Sequence, residues 1–380
     1  MLSQHYFNDE HALLRESVRR FVEQNVLPHI DEWESAQEFP VELYKQLGDA
    51  GFLGIGFPEE LGGCGGDVFH KVVFTEEIMR AGSGGLSAGI GSHDIGLPPI
   101  VRLGSAELKE RVVPPVLRGE KIAALAITEP GGGSDVANLK TRAVREGDTY
   151  RINGSKTFIT SGCRADYYTV GVRTGGEGFG GISLIMVEKG TPGFSVGKKL
   201  KKMGWRCSDT AELFFEDCVV PVSNLIGAEN QGFAAIMGNF QNERLLLALM
   251  ANMTSRLALE QATAYVRQRE AFGRSISKFQ VTRHKLADLA TLLQASDALT
   301  YQVADAMNQG RSVIKEVSMA KNFATDCSDK ITHQAVQLFG GMGFMEECLV
   351  ERLYRDNRIL SLGGGTREIM NEIISKQMGL

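Results

Sequence analysis

Apolar residues recur at helical spacing from the start of the chain: Leu14, Val18, Phe21, Val22 and Val26 share one face behind Asn8-Asp9, a pair suited to cap a first turn. Pro40-Val41-Glu42-Leu43-Tyr44 begins another helix. Gly62-Gly63-Cys64-Gly65-Gly66 then reads as a flexible connection to a further helix at about Phe69 to Arg80. Helical texture lasts to about Lys121. From Ile122 to about Val220 the period shortens to strict alternation, as in Tyr167-Tyr168-Thr169-Val170-Gly171-Val172 and Ile182-Ser183-Leu184-Ile185-Met186-Val187, with glycine turns between. Beyond Gly232 helical periodicity returns, with Phe233, Ile236, Met237 and Phe240 on one face, and persists nearly to Leu380. The pattern predicts an α+β multidomain chain: helical over 1–121, β over 122–232 and helical over 233–380.

Composition narrows the classes. A chain of 380 residues with 43% hydrophobic content buries a large core and divides into more than one unit. A net charge of −5 argues against a nucleic-acid surface, which needs lysine and arginine to neutralise phosphates. The short basic run Lys198-Lys199-Leu200-Lys201-Lys202 reads as a solvated edge. Six cysteines, at 64, 163, 207, 218, 327 and 348, form no C-x-x-C pair and read as reduced thiols; seven scattered histidines read as structural, so no metal is expected. Met1-Leu2-Ser3-Gln4-His5 lacks the basic and apolar character of a signal, and the longest apolar run, around Leu245 to Ala251, is too short to cross a bilayer. The expectation is a soluble, cytoplasmic protein with no membrane insertion.

Two segments carry the chemistry. Ile127-Thr128-Glu129-Pro130-Gly131-Gly132-Gly133-Ser134-Asp135 is followed by Asn153-Gly154-Ser155-Lys156-Thr157-Phe158-Ile159-Thr160-Ser161. Threonine hydroxyls and backbone N–H groups freed by glycine approach a polar heterocycle or a pyrophosphate closely. Between them, Lys140-Thr141-Arg142-Ala143 and Tyr150-Arg151-Ile152-Asn153-Gly154 read as a strand pair with an Asn-Gly turn, so the segments are expected to meet across a β-hairpin, with a flat ring against them. Gly176-Glu177-Gly178-Phe179-Gly180-Gly181 satisfies G-x-G-x-x-G but precedes a strand and not a helix; it reads as a hairpin loop.

The two segments, as T-E-P-G-x-G-S-D and N-G-x-K-x-(F/W)-I-(T/S), resemble the signature of the acyl-CoA dehydrogenase flavoproteins. Leu103-Gly104-Ser105 through Pro115, Gly119-Glu120-Lys121, Asp209 to Asp217, Arg269-Glu270-Ala271-Phe272-Gly273, Gln337-Leu338-Phe339-Gly340-Gly341 and Tyr354-Arg355-Asp356 extend the resemblance almost end to end. It implies a β-barrel-like middle domain, a C-terminal four-helix bundle and FAD as cofactor. By the same resemblance Ile127, Thr128 and Thr160 contact the isoalloxazine, with Phe158 against the ring where many relatives have Trp, and Ser134 contacts the pyrophosphate or the thioester ligand. Arg269, Phe272, Gln280, Gln337 and Gly341 resemble the set that grips the adenosine-pyrophosphate end of FAD from a neighbouring subunit, and Thr366 and Glu368 join that surface. Such sharing makes the active unit at least a dimer, and the resemblance implies a homotetramer, a dimer of dimers.

The implied reaction is α,β-dehydrogenation of an acyl-CoA thioester: a carboxylate takes the α proton while the β hydrogen leaves as hydride to flavin N5, and the electrons pass to an electron-transferring flavoprotein. In most of the family the base precedes a Gly-Thr pair near the C-terminus, but here Leu362-Gly363-Gly364-Gly365-Thr366 puts Gly364 at that position. Gln241-Asn242-Glu243-Arg244-Leu245-Leu246 instead resembles the helix that carries the base in the isovaleryl-CoA and long-chain branches, so Glu243 is the expected base. Burial in an apolar pocket raises such a carboxyl toward neutrality and strengthens it as a base. Gly364 is expected to donate its backbone N–H to the thioester carbonyl; Arg244, Gly363 and Ser134 complete the expected substrate contacts. Gly363 and Gly364 also predict open space near the α and β carbons, hence a branched or medium-to-long acyl chain. A flavin oxidase or monooxygenase, or a non-catalytic FAD-binding scaffold, are the other classes this pattern allows.

Overall fold

The computed structural model describes residues 4–380; Met1 to Ser3 of the opening segment lie outside the described residues. The N-terminal portion carries helices α1 (Asp9–Asn25), α2 (Ile30–Ala36), α3 (Glu42–Asp49), α4 (Val68–Met79), α5 (Gly84–Ile90), α6 (His93–Gly96), α7 (Pro98–Leu103) and α8 (Ala106–Leu117). Asn8 caps α1 by accepting from the His11 N–H at 3.0 Å, and Asp67 caps α4 in the same way from His70 at 3.1 Å. Both histidines return a ring nitrogen to the N–H of their own cap residue, and His11 Nε2 also meets Asp67 Oδ1 at 2.9 Å. His11, Asp67 and His70 are spaced closely enough to hold a metal ion, and the two caps engage all three. Val18, Val22 and Val26 are buried, as the period predicts, and α4 is buried on nearly every side because it packs on α1 and on two long C-terminal helices, α9 (Gly232–Gln268) and α10 (Gln280–Asn308).

The middle portion contributes β1 (Ala123–Ala126), β2 (Arg142–Glu146), β3 (Thr149–Thr160), β4 (Tyr167–Arg173), β5 (Ile182–Glu188), β6 (Phe194–Lys199), β7 (Thr210–Pro221) and β8 (Leu225–Ile226). Strands β6-β7-β3-β2 form one half and β1-β4-β5-β8 the other, joined through the single parallel pair Arg142 and Arg173. Inward residues of both halves, among them Tyr150, Ile152, Tyr168, Val170, Ile185, Leu213 and Phe215, share one core, so the halves close on each other in barrel-like fashion. The loop of residues 174–181 joins β4 to β5 as a hairpin, which is the expected reading of the G-x-G-x-x-G match.

Three local expectations are corrected. Asn153-Gly154 is not a turn: it lies inside β3 at a bulge opposite β7, and the β2–β3 turn is made at Gly147-Asp148. Gly154 is required there by close approach, since a Cβ would sit 2.6 Å from Thr141 Oγ1. The Gly62–Gly66 run is a hydrogen-bonded turn and not a flexible connection: Gly56 N–H reaches Gly65 O at 2.6 Å, Cys64 N–H reaches Gly54 O at 2.8 Å, and a Cβ on Gly63 would strike Phe57 O at 2.2 Å. Lys202 does not belong to a solvated edge; its ammonium turns inward to Ser208 O, Ser208 Oγ and Thr210 Oγ1 at 2.8–3.0 Å, and burial draws its pKa down to about 8.

The C-terminal portion is built on α9 (Gly232–Gln268), a short hairpin of β9 (Glu270–Ala271) and β10 (Arg274–Ser275), then α10 (Gln280–Asn308) and α11 (Ile314–Phe339). A short helix α12 (Leu349–Asn357) follows, and α13 (Arg367–Gln377) packs along α11 as the fourth member of the bundle. Among the described residues no helix is long and apolar enough to cross a membrane.

Candidate active site

The two signature segments meet, though through a different contact from the hairpin expected of them. Thr157 N–H donates to Thr128 O at 2.9 Å, and beneath that bond the buried Lys156 ammonium joins Glu129 at 2.8 Å and Ile127 O at 3.0 Å. Glu129 also accepts from the N–H groups of Lys140 and Thr141 at 2.6 and 2.8 Å. Burial opposes charge on both partners. For Glu129 the Lys156 ammonium and these donors outweigh it and hold the carboxyl below its ordinary range, whereas Lys156 is drawn down to about 8. The motif's Glu and Lys therefore act as an internal tie, and the residues beside them are left to face outward. Ile127 is buried beneath the surface, Thr128 and Thr160 are half-buried, and Ser134 is exposed on an open loop where a Cβ on Gly131 or Gly132 would touch nothing. Phe158 is 68% exposed and held at φ +59°, a left-handed conformation uncommon for an aromatic residue. A bare aromatic face between two threonines, beside an open glycine loop, fits a flat heterocycle carrying a phosphate tail, as FAD does.

Thr160 also lines a cavity of about 100 Å³, walled by Phe74, Thr75 and Ile78 of α4, Ala88 and Ile90 of α5, Ile95 of α6, Trp205, and Glu243, Leu246, Leu247 and Met250 of α9. Among the described residues Glu243 accepts no hydrogen bond. Burial raises its pKa above the ordinary carboxylate range, with Lys321 and Arg244 opposing. The donors of those two cations point elsewhere: Lys321 Nζ bonds to Gly365 O at 2.5 Å and Arg244 Nε approaches Gly364 O at 3.4 Å. Lys321, buried on α11, is itself drawn down to about 8 by burial. Both cations thus brace the loop of residues 363–365 and leave the carboxylate free.

Gly364 lies at φ +63°, and a Cβ there would stand 3.5 Å from Glu243 Oε1 and 2.5 Å from Leu247 Cδ1. The Glu243 carboxylate borders the space a side chain at 364 would enter. Two expectations change. The space released at Gly364 is filled by Leu247 and Glu243, and a Cβ on Gly363 would make ordinary contact with Ile359 O at 3.6 Å. Arg244 is buried with its guanidinium toward Gly364 O and over the Phe240 ring, so it supports the loop and is not placed as a substrate contact. The Gly364 N–H donates to no acceptor among the described residues.

The remaining expected residues gather on a surface made of C-terminal elements. Tyr265 stacks on Phe339 at 4.1 Å, drawing the end of α9 to the end of α11. Ile276 N–H bonds to Arg269 O at 2.8 Å, and Phe272 meets Phe279 edge-on at 6.2 Å, just before Gln280. Arg269, Phe272, Gln280, Gln337 and Gly341 are all exposed, Phe272 by 94%. Thr366 caps α13 by accepting from Ile369 N–H at 3.4 Å, with Glu368 exposed in the first turn.

Four neighbours of the site are given no role by the motif reading. Glu129 and Lys156 stand inside the motifs themselves. Lys321 carries a signal, because it shares the buried face of α11 with Val317, Ala320 and Ala324, where a cation needs a reason. Trp205 is held at φ +53° by Asp356, whose carboxylate accepts from Trp205 N–H at 2.6 Å and Gly84 N–H at 3.0 Å, and a Cβ on Gly84 would fall 2.4 Å from Trp205 Nε1. Burial, with Glu34 nearby, pushes Asp356 up to about 7. The Tyr354-Arg355-Asp356 block thereby sets one wall of the cavity.

Comparison with known proteins agrees with this geometry. Residues 8–120, 124–218 and 230–379 match the N-terminal, middle and C-terminal domains of acyl-CoA dehydrogenase. The chain is 41% identical to the mitochondrial long-chain specific acyl-CoA dehydrogenase of Rattus norvegicus, over 98% of this chain and 87% of that one. It is 39% identical to the mitochondrial isovaleryl-CoA dehydrogenase of Oryza sativa subsp. japonica, over 98% and 92%. A crystal structure of a probable acyl CoA dehydrogenase from Mycobacterium abscessus superposes with a TM-score of 0.97 at 51% identity, covering 98% of this chain and 100% of that one.

Proposed function

This chain belongs to the acyl-CoA dehydrogenase family of FAD-dependent oxidoreductases, and on that premise we propose that Glu243 is the base that takes the α proton of the acyl thioester. The observation that carries this reading is an unpartnered carboxylate, raised by burial, sharing one cavity with Thr160 and lying against the loop of Gly364. Bound FAD supplies the acceptor for the hydride that leaves the β carbon. Ile127, Thr128, Phe158 and Thr160 would hold its ring, and Ser134 its phosphate side. The Gly364 N–H, without an acceptor among the described residues, donates to the thioester carbonyl and lowers the cost of removing the α proton. Lys321 and Arg244 keep the 363–365 loop in place through its carbonyls and leave Glu243 without a competing donor. Leu246, Leu247 and Met250 exclude water from the proton transfer.

Finer assignments belong to the same reading. The exposed set Arg269, Phe272, Gln280, Gln337 and Gly341, with Thr366 and Glu368, serves the FAD of a neighbouring subunit in a homotetramer; the 94% exposure of Phe272 in the single chain supports this. Electrons leave to an electron-transferring flavoprotein. The acyl group is branched or of medium-to-long chain, a reading supported by the long-chain and isovaleryl relatives. Anaerobic mixing of the FAD-loaded protein with straight and 3-methyl acyl-CoAs, in wild type and Glu243→Gln, tests the central step. Bleaching of the flavin lost only in the variant supports Glu243; equal bleaching moves the base elsewhere.

A further inference from the structure

Past Leu246 the Glu243 cavity borders a second space of about 430 Å³, lined by residues that include Phe57, Lys71, Pro98 and Arg102. Only Asp94 and Leu246 line both. Asp94 is 9% exposed, in a region otherwise walled toward Glu243 by Ile78, Ile90, Ile95 and Met250. One carboxylate oxygen, Oδ1, is taken by the Lys71 ammonium, which also lies 4.8 Å from the centre of the Phe57 ring; His93 Nε2 stands 3.6 Å from the same oxygen. The second oxygen, Oδ2, accepts no hydrogen bond among the described residues, and it lies toward Gly91, also in the cavity wall, where a Cβ would just touch it at 4.0 Å.

This arrangement is built for a charged acceptor. Burial opposes ionisation of Asp94, but Lys71 and His93 outweigh it and hold the carboxyl below its ordinary range. An ionised oxygen left without a donor when an apolar tail expels water is costly, and a ligand that brings a donor recovers that cost. Resting on the dehydrogenase reading above, we propose that the acyl tail accepted by this enzyme ends in a neutral hydrogen-bond donor, a hydroxyl or phenol, received by Asp94 Oδ2 in the cavity it shares with Glu243. Asp94 is thereby a specificity-determining residue, and a tail ending in a carboxylate brings no donor to its open oxygen.

The test uses the FAD-loaded protein and CoA esters matched in chain length that end in methyl, hydroxyl or carboxylate. Affinity is read from perturbation of the flavin spectrum, and reaction from anaerobic bleaching. The hydroxyl ester is expected to bind and react about tenfold to hundredfold better than the methyl ester, the range of a hydrogen bond to a charged group, with the carboxylate ester poorest. In Asp94→Asn, which keeps the shape and one acceptor, the hydroxyl preference shrinks to a few-fold and the penalty on the carboxylate ester disappears. If the variant does not fold, the order of the three esters in wild type still decides. Bleaching by all three esters with no hydroxyl preference at any length overturns the Asp94 assignment and leaves the dehydrogenase reading standing. Binding in the expected order without bleaching does the reverse.

Discussion

Glu129 and Glu243 are two carboxylates taken from water in neighbouring parts of the same protein, and they face opposite ways chemically. Glu129 receives the Lys156 ammonium and two backbone N–H groups, and its pKa falls. Glu243 has two cations nearby, yet their donors go to the carbonyls of Gly364 and Gly365, and its pKa rises. The contrast teaches that proximity to positive charge does not decide what a buried carboxylate does. Donors aimed at its oxygens make it a structural tie; donors aimed past it leave a base.

The widest separation of the two roles is expected from Glu243→Gln, which should slow flavin bleaching by acyl-CoA about 10²–10⁴-fold, the usual contribution of a positioned general base. The variant should remain folded and yellow, as checked by stopped-flow absorbance and the flavin spectrum. Lys156→Met should show the reverse profile: leaving Glu129 buried without its cation costs about 3–5 kcal/mol, visible as a lowered denaturant midpoint, while Glu129→Gln combined with Lys156→Met recovers much of it. An unchanged midpoint in Lys156→Met would sink the structural role.

Titration sharpens the contrast further, since the signs differ. The folded state raises the Glu243 pKa, so its ionisation costs stability as pH rises from the ordinary carboxylate range through the raised value, while bleaching speeds up over the same window. The folded state depresses the Glu129 pKa, so its stabilisation is complete above the ordinary range and lost as pH falls through the lowered value. Thermal unfolding near neutral pH should therefore find Glu243→Gln more stable than wild type. A lower melting temperature would show that Glu243 has a donor in the folded state. The smallest effect is expected at Phe158, where Phe158→Ala removes aromatic contact of about 0.5–1.5 kcal/mol and should weaken FAD binding by roughly twofold to twelvefold in a titration of apoprotein.

Local rules were enough for the outline of the fold. Asn8 ahead of Val18, Val22 and Val26 specifies a capped amphipathic helix, and alternation in Tyr167–Val172 and Ile182–Val187 specifies strands, because period and cap chemistry involve only near neighbours in the chain. The same rules failed where distant partners set the geometry. Asn153-Gly154 has turn chemistry but lies against Thr141 and β7, which make it a bulge; the glycines at 62–66 look loose but are held by Phe57 and Gly54.

The sequence by itself determined the helical–β–helical order, the paired segments around Thr128 and Thr160, and the presence of a glycine at 364 with a glutamate at 243, since motifs and spacing travel with the chain. Only the tertiary structure decided what those residues face. It filled the space at Gly364 with Leu247, turned Arg244 to a loop carbonyl, set Lys321 and Trp205 beside the cavity and left one oxygen of Asp94 without a donor. The physical reason is that burial and hydrogen-bond partnership are properties of surroundings assembled from far along the chain, and those surroundings separate a base from a tie.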